Sequence, residues 1–346
     1  MVDVGILGAT GAVGQRLVQL LDPHPEFDIA TLTASPASTG KTYREAAKWR
    51  ADTPMPDAVT DIEVVATDPD SISDDVRLLF SSLPSDVGRE VEPKLAEAGY
   101  VVSSNASNAR MAEDVPLVIP EVNPDHLGLI DVQRDERGWD GALLKNPNCS
   151  TITMVPTLAA LDQFGLDAVR VATLQAVSGA GYSGVTSMEI IDNAIPHIGS
   201  EEQKMESESR KLLGTFDGSE IDRHGMDVAA SCNRVPTVDG HLENVWAETS
   251  DDVTVDEVTA AMSAYPSAAP PPSPERLIHT FTEPDRPQPR LDRNRGDGMA
   301  VSAGGFRPTE GRDCRRVRHH RGGGRRAARP RVPPRRARPT ARDRRL

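Results

Sequence analysis

The chain has 346 residues, enough for two domains, and its formal charge of −13 argues against an anionic polymer as its main partner. Its three cysteines, Cys149, Cys232 and Cys314, supply no disulfide framework and fit a reducing cytoplasm. No apolar run reaches membrane-spanning length, and the first residues lack a basic segment followed by a long apolar stretch, so the expectation is a cytoplasmic protein without a membrane span.

Residues 2–7 alternate into a short apolar strand, residues 8–14 form a tight loop, and residues 15–21 have helical apolar spacing. In this strand–turn–helix start, Gly8, Gly11 and Gly14 form a GxxGxxG loop. With Thr10, Ala12 and Val13 it lets backbone approach a pyrophosphate at the helix start; a turn without ligand is the alternative. Further strands are predicted at 27–33, 62–65, 76–82 and 100–104, separated by polar or helical segments. That order predicts an α/β fold with a doubly wound, Rossmann-type parallel sheet and right-handed crossovers. At the tip of the second strand, residues 34–41 offer no carboxylate for a ribose. Ser35, Ser38 and Lys41 instead favour a 2′-phosphate, hence NADP, beside the alternative of an ordinary polar loop.

The run Asn146-Pro147-Asn148-Cys149-Ser150-Thr151 breaks regular structure and leads into an apolar stretch that can open as a helix. Cys149 is therefore predicted at a helix start, where the dipole and unpaired amides favour a thiolate and can hold an oxyanion. A small buried apolar residue is the alternative for a free cysteine. Beyond Cys149 the pattern changes to a strand over 168–177, a helix over 185–195, a charged helix over 200–213 and a strand over 299–305, which predicts a second, α+β domain.

Gln175 ends the first of these strands before a turn containing Ser178 and Gly179, where it can orient a substrate. Glu201 and Lys204 share one helix face and can hold an amine and a phosphate; a solvated helix start is the alternative. Arg234, seven residues before His241, offers a fork for a carboxylate, and His241 an imidazole, the side chain that changes charge near neutrality. A nucleophilic thiol needs a base and a charged substrate needs an anchor. Together these groups point to a thiol-based, nicotinamide-dependent aldehyde oxidoreductase. Cys232 reads as structural, and no Cys or His spacing suits a metal.

Residues 268–274 and 286–290 read as extended connectors. From Arg307 onward there are sixteen arginines against three acids, so the whole-chain −13 divides into +13 there and −26 over residues 1–306. The acidic body predicts a heavily hydrated, salt-adapted surface. The 307–346 tail has too few apolar residues to offset ordering entropy and is predicted to be disordered. An abrupt change of composition just after a strand is what a shift of reading frame would produce. A basic arm on a non-catalytic Rossmann-type binding protein is the competing reading, disfavoured because such an arm would fold back on the acidic body.

Residues 1–306 resemble the aspartate-semialdehyde dehydrogenase family, in its archaeal and fungal-like branch. The resemblance is carried by the glycine loop, the run 146–151, Gln175 to Gly181, Glu201 to Lys204, Cys232 to Pro236 with Asp239-Gly240-His241, and Arg286 to Arg290. It implies an NADP-binding domain over 1–149 and a catalytic and dimerisation domain over 150–306, in a homodimer or tetramer. It also implies Cys149 as nucleophile beside Asn148, His241 as acid/base, Gln175 as orienter, Arg234 on the substrate α-carboxylate, Glu201 near its amino group, and Arg110 and Lys204 at the phosphate. The implied reaction interconverts 4-phospho-L-aspartate and L-aspartate 4-semialdehyde plus phosphate, in lysine, threonine and methionine biosynthesis. Related acyl-phosphate reductases usually carry glycine where this chain has Asn148. Two departures stand out. Ala37 replaces a frequent arginine, and residues 307–346 lack the family's Asn-Thr-Ile-Arg-Gly-Ala-Ala-Gly-like helix that returns to the cofactor, which predicts impaired folding or activity.

Overall fold

The apolar runs of the first 145 residues form six strands: β1 (Val2–Leu7), β2 (Phe27–Thr33), β3 (Val64–Val65), β4 (Leu78–Ser81), β5 (Val101–Ser104) and β6 (Ala142–Lys145). They are all parallel, in the order β3-β2-β1-β4-β5-β6. The computed structural model describes residues 1–266 and 273–307, together with the backbone of 314–321. Parallel pairing needs crossovers, supplied by α1 (Ala12–Leu21), the single turns α2 (Tyr43–Ala46) and α3 (Asp57–Thr60), α4 (Ser85–Glu97) and α5 (Leu129–Arg137). Leu17, Val18 and Leu21 of α1 pack with Val4 and Ile6, while Leu95 and Ala96 of α4 pack in a second core with Leu79 and Val102. The strand order reverses between β1 and β4, so a crevice opens at the carboxyl end of β1, where the glycine loop lies.

Next, α6 (Cys149–Leu161) leaves this sheet and starts a second core. Then follow β7 (Leu166–Gln175), the single turn α7 (Ser187–Ile190), α8 (Glu201–Leu212), the two-residue strands β8 (Thr215–Phe216) and β9 (Ile221–Asp222), β10 (Asp227–Arg234) and β11 (His241–Thr249). The remaining elements are α9 (Val255–Ala264), β12 (Ile278–Phe281), α10 (Pro289–Asp292), β13 (Val301–Arg307) and β14 (Cys314–Arg321). The second sheet runs β10-β7-β11-β14-β13-β12; its outer pairs are parallel and its inner ones antiparallel. Met154 and Leu158 of α6 and Met262 of α9 bury against Val169, Val171 and Val245 of this sheet.

Three expectations change. Residues 307–346 were expected to be disordered, yet Cys314–Arg321 is a strand paired on both sides, with β11 and with β13. A strand inside a sheet is held by backbone groups on both edges, which composition does not report; the other residues beyond Arg307 lie outside the described ones. The helix expected over 185–195 shrinks to Ser187–Ile190, because Ile195 is drawn into a two-way backbone bridge with Arg234 at 3.0 and 2.8 Å. Of the two expected connectors, residues 268–272 lie outside the described residues, while 286–288 carry no regular structure, as expected, and only Pro289 and Arg290 enter the short helix α10.

Candidate active site

Cys149 is the first residue of α6. Asn148 caps that helix: its side-chain oxygen accepts from the amides of Ser150 at 2.9 Å and Thr151 at 3.2 Å. Two amides expected to be unpaired at this helix start are thus taken by the cap. The helix carries no acid of its own in its first turn, so the positive end of its dipole acts on the thiol, with the Glu208 carboxylate nearby on the Asn148 amide at 2.6 Å. Beneath the loop, Lys145 and Glu92 form an ion pair with no exposed surface, and Ser81 donates to Glu92 at 2.7 Å. Burial pushes the Lys145 ammonium down, against the pull of Glu92.

Arg110, Asn148, Cys149, Gln175, Gly179, Glu201, Lys204 and Arg234 line one cleft of about 250 Å³. They come from five places in the chain. The ends of β7 and β10 deliver Gln175 and Arg234 side by side in register. The Arg234 guanidinium donates to the Ala176 carbonyl at 2.7 Å. A Cβ at position 179 would stand 3.0 Å from that guanidinium and 3.7 Å from the His241 ring, so glycine allows the close approach. Ser178, in the same turn, donates its amide to Val238 at 3.1 Å.

His241, at the start of β11, accepts the Ala176 amide at Nδ1 over 3.1 Å. A backbone N–H can only donate, so the neutral ring carries its proton on Nε2.

Glu201 ties the cleft together. It accepts from Lys204 at 2.9 Å, from the Asn148 side-chain amide at 2.7 Å and from Gln175 at 3.2 Å. Burial pushes its carboxyl up, but the Lys204 hydrogen bond and charge, with the two amides, outweigh it and leave the group below its ordinary value. Gln175 also donates to Ser150, which fixes its amide against the helix start.

The cofactor loop meets the steric test for a dinucleotide. Gly8 has φ +74°, and a Cβ on Gly14 would stand 2.3 Å from the Gly8 carbonyl, so both positions demand glycine. A Cβ on Gly11 would meet only that carbonyl, at 3.5 Å, which leaves its other side open for a ligand. Helix α1 starts at Ala12, three residues earlier than expected, with no side-chain cap and no acid in its first turn. Its amides, flanked by Thr10 and Val13, are thus available to a pyrophosphate. Ser35, Ser38 and Lys41 lie on the loop after β2, where Lys41 donates to the Ala37 carbonyl at 2.8 Å. That loop holds no carboxylate that would repel a 2′-phosphate.

Sequence reasoning missed two carboxyls. Glu208 lies seven residues beyond Glu201, two turns along the same face of α8, and that spacing was a signal available in the sequence. Glu243 follows His241 by two residues on the same side of β11 and is fully buried. Among the described residues neither of its oxygens has a partner, and burial, with the nearby Cys149, pushes its carboxyl well up. Cys232 is buried and its thiol is pushed up to about 12, which suits an inert core residue.

Residues 3–130 match the model of the semialdehyde dehydrogenase NAD-binding domain, and residues 158–317 that of the semialdehyde dehydrogenase dimerisation domain. An aspartate-semialdehyde dehydrogenase of Archaeoglobus fulgidus is 54% identical over 305 residues, 88% of each chain. One from Schizosaccharomyces pombe is 46% identical over 320 residues, again 88% of each. Among solved structures, aspartate semialdehyde dehydrogenase with NADP from Candida albicans superposes with a TM-score of 0.83 at 38% identity, covering 92% of this chain and 93% of that one. The Vibrio cholerae aspartate semialdehyde dehydrogenase II complexed with ASA gives 0.74 at 27% identity over 94% of each. The two family models and relatives of this identity span most of the chain: it belongs to the aspartate-semialdehyde dehydrogenase family.

Proposed function

We propose that the protein is an NADP-dependent aspartate-semialdehyde dehydrogenase, interconverting 4-phospho-L-aspartate and L-aspartate 4-semialdehyde plus phosphate in the biosynthesis of lysine, threonine and methionine. The observation that carries this reading is Cys149 at the start of α6, in one cleft with Arg234, Glu201, Lys204 and Arg110. In the biosynthetic direction the Cys149 thiolate forms a C–S bond to the acyl carbon as the bond to phosphate oxygen breaks, giving a thioester. NADP, in its reduced form, supplies the hydride. The resulting adduct on Cys149 releases the aldehyde as its C–S bond breaks and the thiolate returns.

Arg234 takes the substrate α-carboxylate and Glu201 its ammonium, while Lys204 and Arg110 take the phosphate. Gln175 and Asn148 keep the helix start in place. His241 presents its Nε2–H to the adduct oxygen; acting as a base would require it to give up the Ala176 amide. Gly8 to Gly14, Ser178 and Gly179 hold the dinucleotide, with Ser35, Ser38 and Lys41 at its 2′-phosphate. The domains divide at 149/150, and the second forms the interface of a homodimer or a tetramer. The chain acts in the cytoplasm; among the described residues no helix is long and apolar enough to cross a membrane.

Cys149→Ala is expected to abolish phosphate-dependent NADP reduction with aspartate semialdehyde while NADP binding persists. Retained turnover would falsify the assignment.

A further inference from the structure

Helix α8 carries Glu201, Lys204 and Glu208 on one face, and two of them already belong to the cleft. Glu208 lies behind it, only 2% exposed. One of its oxygens accepts from the Arg110 guanidinium at 2.8 Å; the other accepts the Asn148 backbone amide at 2.6 Å. Asn148 is the cap of α6, so its N–H precedes the helix and has no acceptor within it. Glu208 supplies one, using a charged acceptor, which makes the bond strong. A single carboxylate therefore joins the cationic end of the cleft to the peptide that introduces Cys149.

Arg110 has one further protein anchor, the Asn105 carbonyl at 2.7 Å, and its Nε has no partner. Its fork is thus only partly used. Any oxyanion arriving in the cleft must share Arg110 with Glu208, whose negative charge opposes it. Burial also pushes the Glu208 carboxyl up, against Arg110 and the Asn148 amide, so this charge depends on its two partners.

We propose that Glu208 is a positioning residue: by dividing its carboxylate between Arg110 and the Asn148 peptide, it locks the Cys149 helix start and sets a weak, readily vacated phosphate site. This rests on the reading of the cleft as phosphorylating.

The test separates the two effects. In Glu208→Gln the opposing charge is gone, so KM for inorganic phosphate falls, by about threefold or more. One of the two donors also faces an amide NH₂ in place of an acceptor, so kcat falls about tenfold or more. Glu208→Asp keeps the charge on a shorter arm: phosphate KM stays within about twofold of wild type, while kcat still falls. A second readout needs no turnover: the concentration of inorganic phosphate that half-protects Cys149 from alkylation by iodoacetamide. It too falls in Glu208→Gln. Unchanged or raised phosphate constants in Glu208→Gln overturn the proposal, as does an unchanged kcat or a wild-type thiol that phosphate does not protect. Loss of fold alone would lower the apparent kcat and the thermal midpoint together while leaving both phosphate constants unchanged. Wild-type protein that shows protection but no phosphate-dependent turnover would instead refute the functional reading and leave the linkage standing.

Discussion

Asn148 donates its side-chain amide to Glu201 at 2.7 Å while its side-chain oxygen caps the helix that begins at Cys149. The residue proposed to meet the substrate ammonium and the residue that sets the nucleophile's helix thus share one amide, whose orientation is fixed from both ends. Asn148→Asp keeps a cap oxygen but places a second carboxylate against Glu201. The expected outcome is a fall in kcat of about 100-fold and a loss of stability of about 1–3 kcal/mol. Asn148→Ala removes only cap and donor and costs about 1 kcal/mol. Steady-state kinetics and urea unfolding read both; an Asp variant as active as wild type would contradict the shared-amide geometry.

The glycine loop gives a contrast between neighbours. At Gly14 an added methyl collides with backbone, so Gly14→Ala is expected to destabilise the protein without cofactor by about 1–3 kcal/mol. At Gly11 the methyl meets nothing closer than 3.5 Å. Gly11→Ala should therefore leave stability within about 0.5 kcal/mol while raising the NADP KM roughly tenfold. Calorimetry without cofactor and NADP titration distinguish them; equal effects on stability at both positions would refute the open face.

Removing Lys145 leaves Glu92 charged and enclosed. Lys145→Ala is expected to cost about 3–5 kcal/mol in urea unfolding, whereas the double substitution Lys145→Met with Glu92→Gln recovers most of that loss. A Lys145→Ala protein as stable as wild type would show that the pair is not sealed from water.

The legibility of these features in the sequence was uneven. Five of the six strands of the first domain announce themselves as apolar runs between turn residues, and β2 spans the expected 27–33, whereas β6 was not expected. Arg234 and His241 gained weight only from occurring together with Cys149, a thiol that needs a base and a substrate anchor, while Arg110 came only from the family likeness. What the residues alone could not give is long-range pairing. Glu208 binds Arg110 across 98 positions and Asn148 across 60, and no local periodicity records such partners. The strand at Cys314–Arg321 escaped for a related reason: its place depends on the edges of β11 and β13, which a reading of its own residues does not contain.

The Glu201 carboxyl lies below its ordinary value of 4.5, so its interactions stabilise the folded state. For a depressed acid, that stabilisation is present above pH 4.5 and is lost as pH falls through the folded value. Compared across pH, wild type should exceed Glu201→Gln most clearly above 4.5, and the gap should close on acidification. Urea unfolding at a series of pH values measures it, and a gap constant with pH would show that Glu201 draws no net stabilisation from Lys204.

The order β10-β7-β11-β14-β13-β12 also has a meaning for how the protein is made. The last strand described in the chain is an interior one. While the ribosome is still upstream of Cys314, β11 and β13 each offer a bare row of amides and carbonyls, and the strand that bears His241 is one of those open rims. A nascent chain halted there would carry the nucleophile and most of its cleft, but two sheet fragments in place of one. Those rims invite pairing between chains until the final strand slides between them.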